Sequence, residues 1–428
     1  MKRLLNYFNQ ITKIPHCSHN ALELKDFLIN FAKERNYTIL VDKNKNILIK
    51  KDSPILCLQA HYDMVCVGDT DKIETFIEDG WIRAKNSTLG ADNGIAIAMM
   101  MVKMDDGENL EFLFTSDEEV GLLGACALEF NLESKYMLNL DSEDEAEVYI
   151  GCAGGVDIEA SKLCDVESIE GDFYSLSISG LQGGHSGIQI HENIPNAIKL
   201  FADYCLDKGV KIVSIEGGER INSIPTSLNS VVLCENKLIS NEYIKIKKLD
   251  KNSGEVLVNS EEIISLLHLF RHGVLEYNDI LDIPKNSINL AMISLDKNIL
   301  SIKSSLRAMD NRDLESISNE FLVFFQGYNF DVNLVSKYPA WTPIENNFSK
   351  IVNQEMIDVF GRSSFKAIHA GLECGVISEK YPNIKIASIG PNIRSPHSLA
   401  ECVEISSIEK TYDVLEGVIK YLKREYEK

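Results

Sequence analysis

Three segments of a single design constrain this chain more than anything else in it: "PILCLQ" leading into "AHYDMV", "LEFLFT" into "SDEEVG", and "KYMLNL" into "DSEDE". Each is a short continuous apolar run, the pattern of a strand buried on both faces, and each ends in acids or a histidine. The helical patterns "GIAIAMMMVKM" and "GLLGACALEF" separate them. Alternating strand and helix predicts an α/β fold with a mostly parallel, helix-covered sheet. Ligands of such sheets collect beyond the carboxyl ends of the strands, which is where these acids fall.

Other elements surround that centre. The opening "MKRLLNYFNQITKIPHCSHN" reads as an amphipathic helix. Ser18 stands where it could cap a second helix, on which Leu22, Leu24, Phe27, Leu28 and Phe31 recur at helical spacing, and a hairpin follows in "YTILVDK", "NKN" and "NILIK". From about Glu170 the texture changes to strands that alternate apolar and polar residues, such as "FYSLSISGL", "SLNSVVLCE" and "ILSIKSSLRAM", with helices between them. That is the signature of an α+β domain whose sheet has one polar face. After "YPAW" the buried texture resumes: Thr342 as cap before Pro343, the strand "IKIASIG", and a long helix from Ser406. The expected organisation is one domain from residues 1–170 and 337–428, interrupted by an inserted α+β domain at 171–336.

Length agrees, because 428 residues exceed one comfortable core. With 43 basic against 64 acidic residues the net charge is −21, a field that repels phosphate backbones and anionic lipid, so neither nucleic acid nor a membrane is an expected partner. No apolar run approaches the roughly 18 residues of a membrane span, and no small-residue cleavage site follows the opening helix. The 10 cysteines form no CxxC pair, and Cys57, Cys126 and Cys234 lie in apolar segments. Such usage suits a reducing, cytoplasmic setting.

The polar residues at the strand ends make a set. His61 and Asp63, two apart, can project from one face, and an acid so placed can hold the ring nitrogen that a metal does not use. Asp92 lies in "TLGADNG", between glycines and just before a buried helix. Glu118 and Glu119 stand side by side after a strand, where one could bind metal while the other moves a proton. Asp141 ends "MLNL", and His397 lies in "IGPNIRSPHSLAE". Taken singly, each has an ordinary structural explanation: a helix cap for Asp92, a solvated turn for the glutamates, a surface loop for His397. A cap uses one carboxylate oxygen, whereas a bridge between metals uses both. Together, five strand-to-loop junctions deliver a nitrogen and oxygen set suited to zinc, cobalt or manganese. His268 and His272 have no acid or thiol on their helical face and read as an exposed helix, while His16 and His19 read as packing or capping residues.

The runs "AHYDMV", "TLGADNG", "TSDEEVGLLGA", "NLDSED", "GCAGG", "GGHSG", "HAGLECG" and "IGPNIRSPHS" resemble, in order, the bacterial cytosolic aminoacyl-histidine dipeptidases of the dimetal aminoacylase and carboxypeptidase family. Residues 235–285 match least. The resemblance implies that the first domain is catalytic and the insert is its lid. It implies two divalent metal ions, zinc first with cobalt or manganese as alternatives. Asp92 would bridge them, His61 and Asp141 would complete one site, and Glu119 and His397 the other. Glu118 would be the general base, and Asp63 the acid behind His61. The bond from Asp92 to Asn93 would be cis. His185 in "GGHSG" would hydrogen-bond the reacting carbonyl oxygen, in some relatives from a partner subunit, so that a homodimer is admitted. Asn222 and Arg307 match positions that hold the substrate carboxylate or oxyanion, and Glu373 one that meets the substrate amino group. The implied substrate is a small unblocked dipeptide. The rival readings are an N-acyl amino acid deacylase using the same site, or an inactive metal- or peptide-binding relative.

Overall fold

The computed structural model describes residues 1–426. The chain divides into two units. The first comprises Met1–Cys152, Trp341–Ala367 and the segment from Leu372 onward; the second comprises Ala153–Ala340 and Ile368–Gly371.

An eight-stranded sheet organises the first unit, in the order 38–41, 47–50, 111–115, 57–61, 136–139, 385–388, 147–152, 364–368. Its four central strands run parallel, and antiparallel strands flank them. The central strands Cys57–His61 and Glu111–Thr115 are buried at every position, as their unbroken apolar runs require. Helix Ala91–Asp105 is apolar nearly all round and buried nearly all round, with Met99, Met100 and Met101 filling the core. Helix Lys2–Ile11 packs Leu4, Tyr7, Phe8 and Ile11 into the same core.

The second unit is built on a nine-stranded antiparallel sheet, with helices Ala197–Cys205, Ser260–Leu269 and Asn311–Gly327. Strand Gly154–Leu163 pairs with Ile299–Ala308 and Asp331–Tyr338 in this sheet. The division therefore falls at 152/153, ahead of the 170/171 expected from the change in texture. Within residues 235–285 the chain forms strands Ile244–Lys248, Ser253–Leu257 and Gly273–Asn278 besides the second of those helices.

Several local expectations are corrected. Ser18 caps no helix: its hydroxyl donates to Asp63 Oδ2 at 2.8 Å, and helix Leu22–Lys33 starts from Ala21 without a side-chain cap. Thr342 is not a cap either, since helix Asn347–Phe360 begins at Asn346, whose side chain forms a reciprocal capping box with Ser349. The helical pattern at 121–130 shrinks to one turn, Leu123–Cys126, because Leu122 adopts φ 60° ahead of it. Cys17 and Cys66 are joined in a disulfide, which ties the connector between the first two helices to the segment after strand Cys57–His61. The remaining cysteines are thiols, all buried except Cys126. No helix among the described residues is long and apolar enough to cross a membrane.

Two histidines in the second unit, one half-buried and one buried, are held neutral. His272 Nδ1 accepts the Leu290 N–H at 3.3 Å, and burial, aided by Lys199, pushes its pKa down to about 4. His369 Nε2 meets the Ser287 hydroxyl at 2.7 Å, and burial, aided by Arg307, pushes it down to about 3. Both values lie below the roughly 6.5 of an unfolded chain, so the unfolded form gains protons first as pH falls. Stability of this unit is therefore full above about pH 6.5 and declines towards the folded values. Native-state hydrogen exchange on the 283–308 hairpin should show easier opening at pH 5 than at pH 7, and His272→Gln should shrink that difference. A pH-independent opening free energy would contradict this.

Candidate active site

The site is built around the turn that enters helix Ala91–Asp105. Gly90 sits at φ 69°, a left-handed conformation that favours glycine, and a Cβ there would stand 2.9 Å from Met64 Sδ and 3.4 Å from His16 Nε2. His16 is accordingly a buried packing residue whose Nδ1–H donates to the Ile14 carbonyl at 2.6 Å. The Asp92–Asn93 peptide bond is cis, and both residues depart from helical geometry. The two side-chain oxygens of Asp92 face different partners.

His61 Nε2 lies 3.0 Å from Asp92 Oδ1 and 3.3 Å from Asp141 Oδ1. His397 Nε2 lies 3.2 Å from Asp92 Oδ2 and 2.9 Å from Glu119 Oε2. Three overlapping groups thus have donor atoms within 4.8 Å of one another: His61, Asp92 and Asp141; Asp92, Glu119 and His397; and His61, Glu118 and Glu119. The two strand-end residues of "AHYD" divide their work differently from the sequence expectation. His61 Nδ1–H donates to the backbone carbonyl of Asp63 at 2.9 Å, while the Asp63 carboxylate is 3.6 Å away. That carboxylate instead accepts the N–H groups of Glu118 (3.0 Å) and Glu119 (3.4 Å) and the Ser18 hydroxyl. Asp63 therefore fixes the backbone of the glutamate pair, while its main chain fixes the imidazole tautomer so that Nε2 faces Asp92.

Electrostatics mark the cluster as crowded. Burial opposes ionisation of Asp92, yet its hydrogen bonds to His397 and His61 hold it well below the usual carboxylate range. Burial raises Glu118 well above its ordinary value, with Asp141 and Glu119 adding repulsion. Asp141 is raised to about 6 and Glu119 is raised too, both chiefly by burial. His397 is pushed up to about 11, because its hydrogen bonds to Asp92 and Glu119 outweigh its burial. Glu119 Oε1 is buried without a hydrogen-bond partner. Crowded carboxylates, two imidazole nitrogens aimed among them and an orphaned oxygen are a donor set that divalent cations satisfy.

Glu373 opens helix Glu373–Lys380 and is fully buried. Its Oε2 accepts from Thr115 Oγ1 (2.6 Å) and Gln59 Nε2 (2.5 Å), Oε1 has no hydrogen-bond partner, and burial raises its pKa to about 7. Two acids escaped the sequence reading. Glu143, two residues beyond Asp141, is raised to about 8 by burial and by Asp92 and Asp141. Glu401, four residues beyond His397, accepts backbone N–H groups from the Asp92 turn. The signal for Glu143 was its place in the acidic run "DSEDE", whereas Glu401, a lone acid after "PHSLA", carried none.

Within the second unit, His185 pairs with Ser223 across a short antiparallel bridge, and Asn222 supplies its carbonyl to Ser186 N–H at 2.9 Å. His185 Nδ1 accepts from Gly187 and Ile188 N–H (3.1 and 3.2 Å), so its proton resides on Nε2. Arg307 Nη1 donates to Tyr338 Oη at 3.0 Å, and a Cβ on Gly187 would stand 3.1 Å from Arg307 Nε. The His185 turn and Arg307 are thus neighbours within this unit. His268 pairs with Asp203 at 2.7 Å and belongs to none of the metal-sized groups found among the described residues.

Carboxylates and imidazoles gathered at the strand ends of a parallel sheet, with an additional glutamate beside them, are the equipment of a metallohydrolase. Residues 57–421 match the model of peptidase family M20/M25/M40, and the chain belongs to that family. It is 30% identical to the cytosol non-specific dipeptidase of Escherichia coli (strain K12), over 97% of each chain. Its structure resembles that of the aminoacylhistidine dipeptidase from Vibrio alginolyticus with a TM-score of 0.83 and 27% identity, over 98% of this chain and 96% of that one. A tripeptidase from Staphylococcus aureus shares the fold, with a TM-score of 0.62 at 16% identity over 99% and 98% of the two chains. The chain is a peptide-bond hydrolase.

The Asp63 geometry is open to test. An amide in its place has one acceptor oxygen and turns an NH2 group towards N–H donors. Asp63→Asn should lower peptide hydrolysis by about 10- to 100-fold while metal content, measured by elemental analysis, stays near that of the parent. Unchanged turnover would show that the glutamate pair needs no such anchor.

Proposed function

We propose that this protein is a dimetal dipeptidase that hydrolyses unblocked dipeptides, including those ending in histidine, in the cytoplasm. The observation that carries the reading is the division of one carboxylate between two imidazoles: Asp92 Oδ1 faces His61 at 3.0 Å and Oδ2 faces His397 at 3.2 Å. His61, Asp92 and Asp141 would hold one cation, and Asp92, Glu119 and His397 the other. Zinc is the first candidate, with cobalt and manganese compatible with the same donors. Bound there, the cations would supply Lewis acidity, polarising the scissile carbonyl and lowering the pKa of the attacking water towards about 7.

The remaining chemistry belongs to the chain. Glu118, whose proton affinity is raised by burial, takes a proton from the attacking water and returns it to the departing amine nitrogen. Asp63 holds Glu118 in place through its backbone N–H. His185 Nε2–H is a donor of the kind that stabilises the developing oxyanion. Arg307 and Asn222 would bind the substrate carboxylate or the oxyanion. Glu373, with one buried oxygen lacking a partner, would receive the substrate amino group. The second unit, as a lid, would restrict substrate length.

Two measurements check the proposal. Glu118→Gln should cut turnover of free dipeptides by about 100- to 10,000-fold and leave both metals bound. Against a panel of free and N-acetylated dipeptides, the chelated and reloaded enzyme should cleave only the free ones. Efficient cleavage of acetylated substrates would instead identify a deacylase, and metal binding without cleavage a non-catalytic relative.

A further inference from the structure

We propose that Glu401 is the positioning residue for Asp92, an inference that rests on the dimetal reading above. Glu401 is 3% exposed, and its carboxylate accepts from four consecutive backbone N–H groups. Oε2 takes Leu89 at 2.7 Å and Gly90 at 3.1 Å; Oε1 takes Ala91 at 2.8 Å and Asp92 at 3.4 Å. The first N–H groups of a helix lack intrahelical acceptors, and here a side chain 309 to 312 residues away in sequence supplies them.

The arrangement does more than cap. Asp92 can address two histidines only if its Cα is fixed to a fraction of an ångström, since each of its oxygens has a separate target. The loop that carries Glu401 also carries His397, and Glu401 N–H closes that loop by donating to the Ser398 carbonyl at 3.2 Å. One short loop thus grips the backbone beneath Asp92 with Glu401 and faces its Oδ2 with His397 at 3.2 Å. The spacing between backbone and histidine is set inside a single turn. A carboxylate is required because only two acceptor oxygens can serve two pairs of N–H groups; an amide would direct its own N–H bonds at one pair. Placing a second buried acid beside Asp92 is unfavourable by charge, so mere loop filling does not account for it.

The test uses the full chain, stripped of metal and titrated with cobalt(II), followed by calorimetry and by the visible cobalt absorption band. Glu401→Gln should weaken cobalt binding at one or both sites by about 10-fold or more and shift the band. It should also lower kcat for a free dipeptide by about 10-fold or more, with KM within about threefold, because substrate-binding groups are untouched. Glu401→Asp, which keeps the charge but withdraws it by one methylene, should change the same readings in the same direction and to a lesser degree. Parent-like cobalt affinity and spectrum in Glu401→Gln would overturn the inference even if the melting temperature fell. Should Glu401→Gln fail to fold, the judgement passes to Glu401→Asp: parent-like cobalt binding, or failure to fold as well, overturns the inference in favour of a purely structural role. A parent chain that does not bind two cobalt ions would overturn the dimetal reading and this inference with it; a parent that binds two, matched by both variants, overturns this inference alone.

Discussion

The candidate site depends on one carboxylate pulled in two directions. Asp92 stands where a buried helix begins, 12% exposed at its side chain, with an imidazole on each oxygen. In water such a group would gain nothing from this arrangement. Inside the protein, unpaired charge is costly, so each neighbour becomes a constraint on the others. His61 can face Asp92 only because the Asp63 carbonyl takes its other nitrogen, and Glu118 and Glu119 can stand close only because the Asp63 carboxylate takes their N–H groups. Asp63, expected from the sequence only as the acid behind His61, thereby orients three residues.

The sheet makes these distances reproducible. Strands 57–61, 111–115 and 136–139 are hydrogen-bonded neighbours, so His61, Asp141 and the glutamate loop issue from adjacent strand ends on one edge. Beneath that edge runs a buried polar chain: Thr115 and Gln59 hold Glu373, and Asn139 bonds to Gln59 and receives the Ser388 hydroxyl. Polar side chains in a fully buried layer must satisfy one another, which leaves each strand end little freedom to slide. Close backbone approach adds to this. A Cβ at Gly390 would fall 1.5 Å from the Ser142 carbonyl oxygen, so only glycine allows the last parallel strand to lead so near Asp141.

Much of this was legible in the sequence, for a physical reason. A strand buried on both faces is mostly apolar, so a cluster of acids or histidine at its end marks the sheet edge, and His61, Glu118, Glu119 and Asp141 all announce themselves in that way. The insertion was visible because strands with one polar face alternate where the others do not. Its beginning was placed too late: strand Gly154–Leu163 follows strand Glu147–Cys152 after a single residue, and the alternation of Val156, Ile158 and Ala160 with Asp157, Glu159 and Ser161 already marks it. Ser18 and Thr342 have the chemistry of caps, but a tertiary partner claimed the first and a better-spaced Asn346–Ser349 pair displaced the second. Glu401 was silent because its partners are peptide N–H groups, which every residue except proline carries and no sequence displays.

The chain order of the first unit has a consequence for biosynthesis. Strand 385–388 lies between 136–139 and 147–152 in the finished sheet, yet the whole second unit separates it from them in the polypeptide. At roughly 5 to 20 residues per second, a ribosome takes about 10 to 40 s to make that intervening stretch. Throughout it, the apolar edge of strand 136–139 is without its permanent neighbour, and His397 has not been made. The strand ends around Asp92 therefore gain their last neighbours only after the second unit has been synthesised.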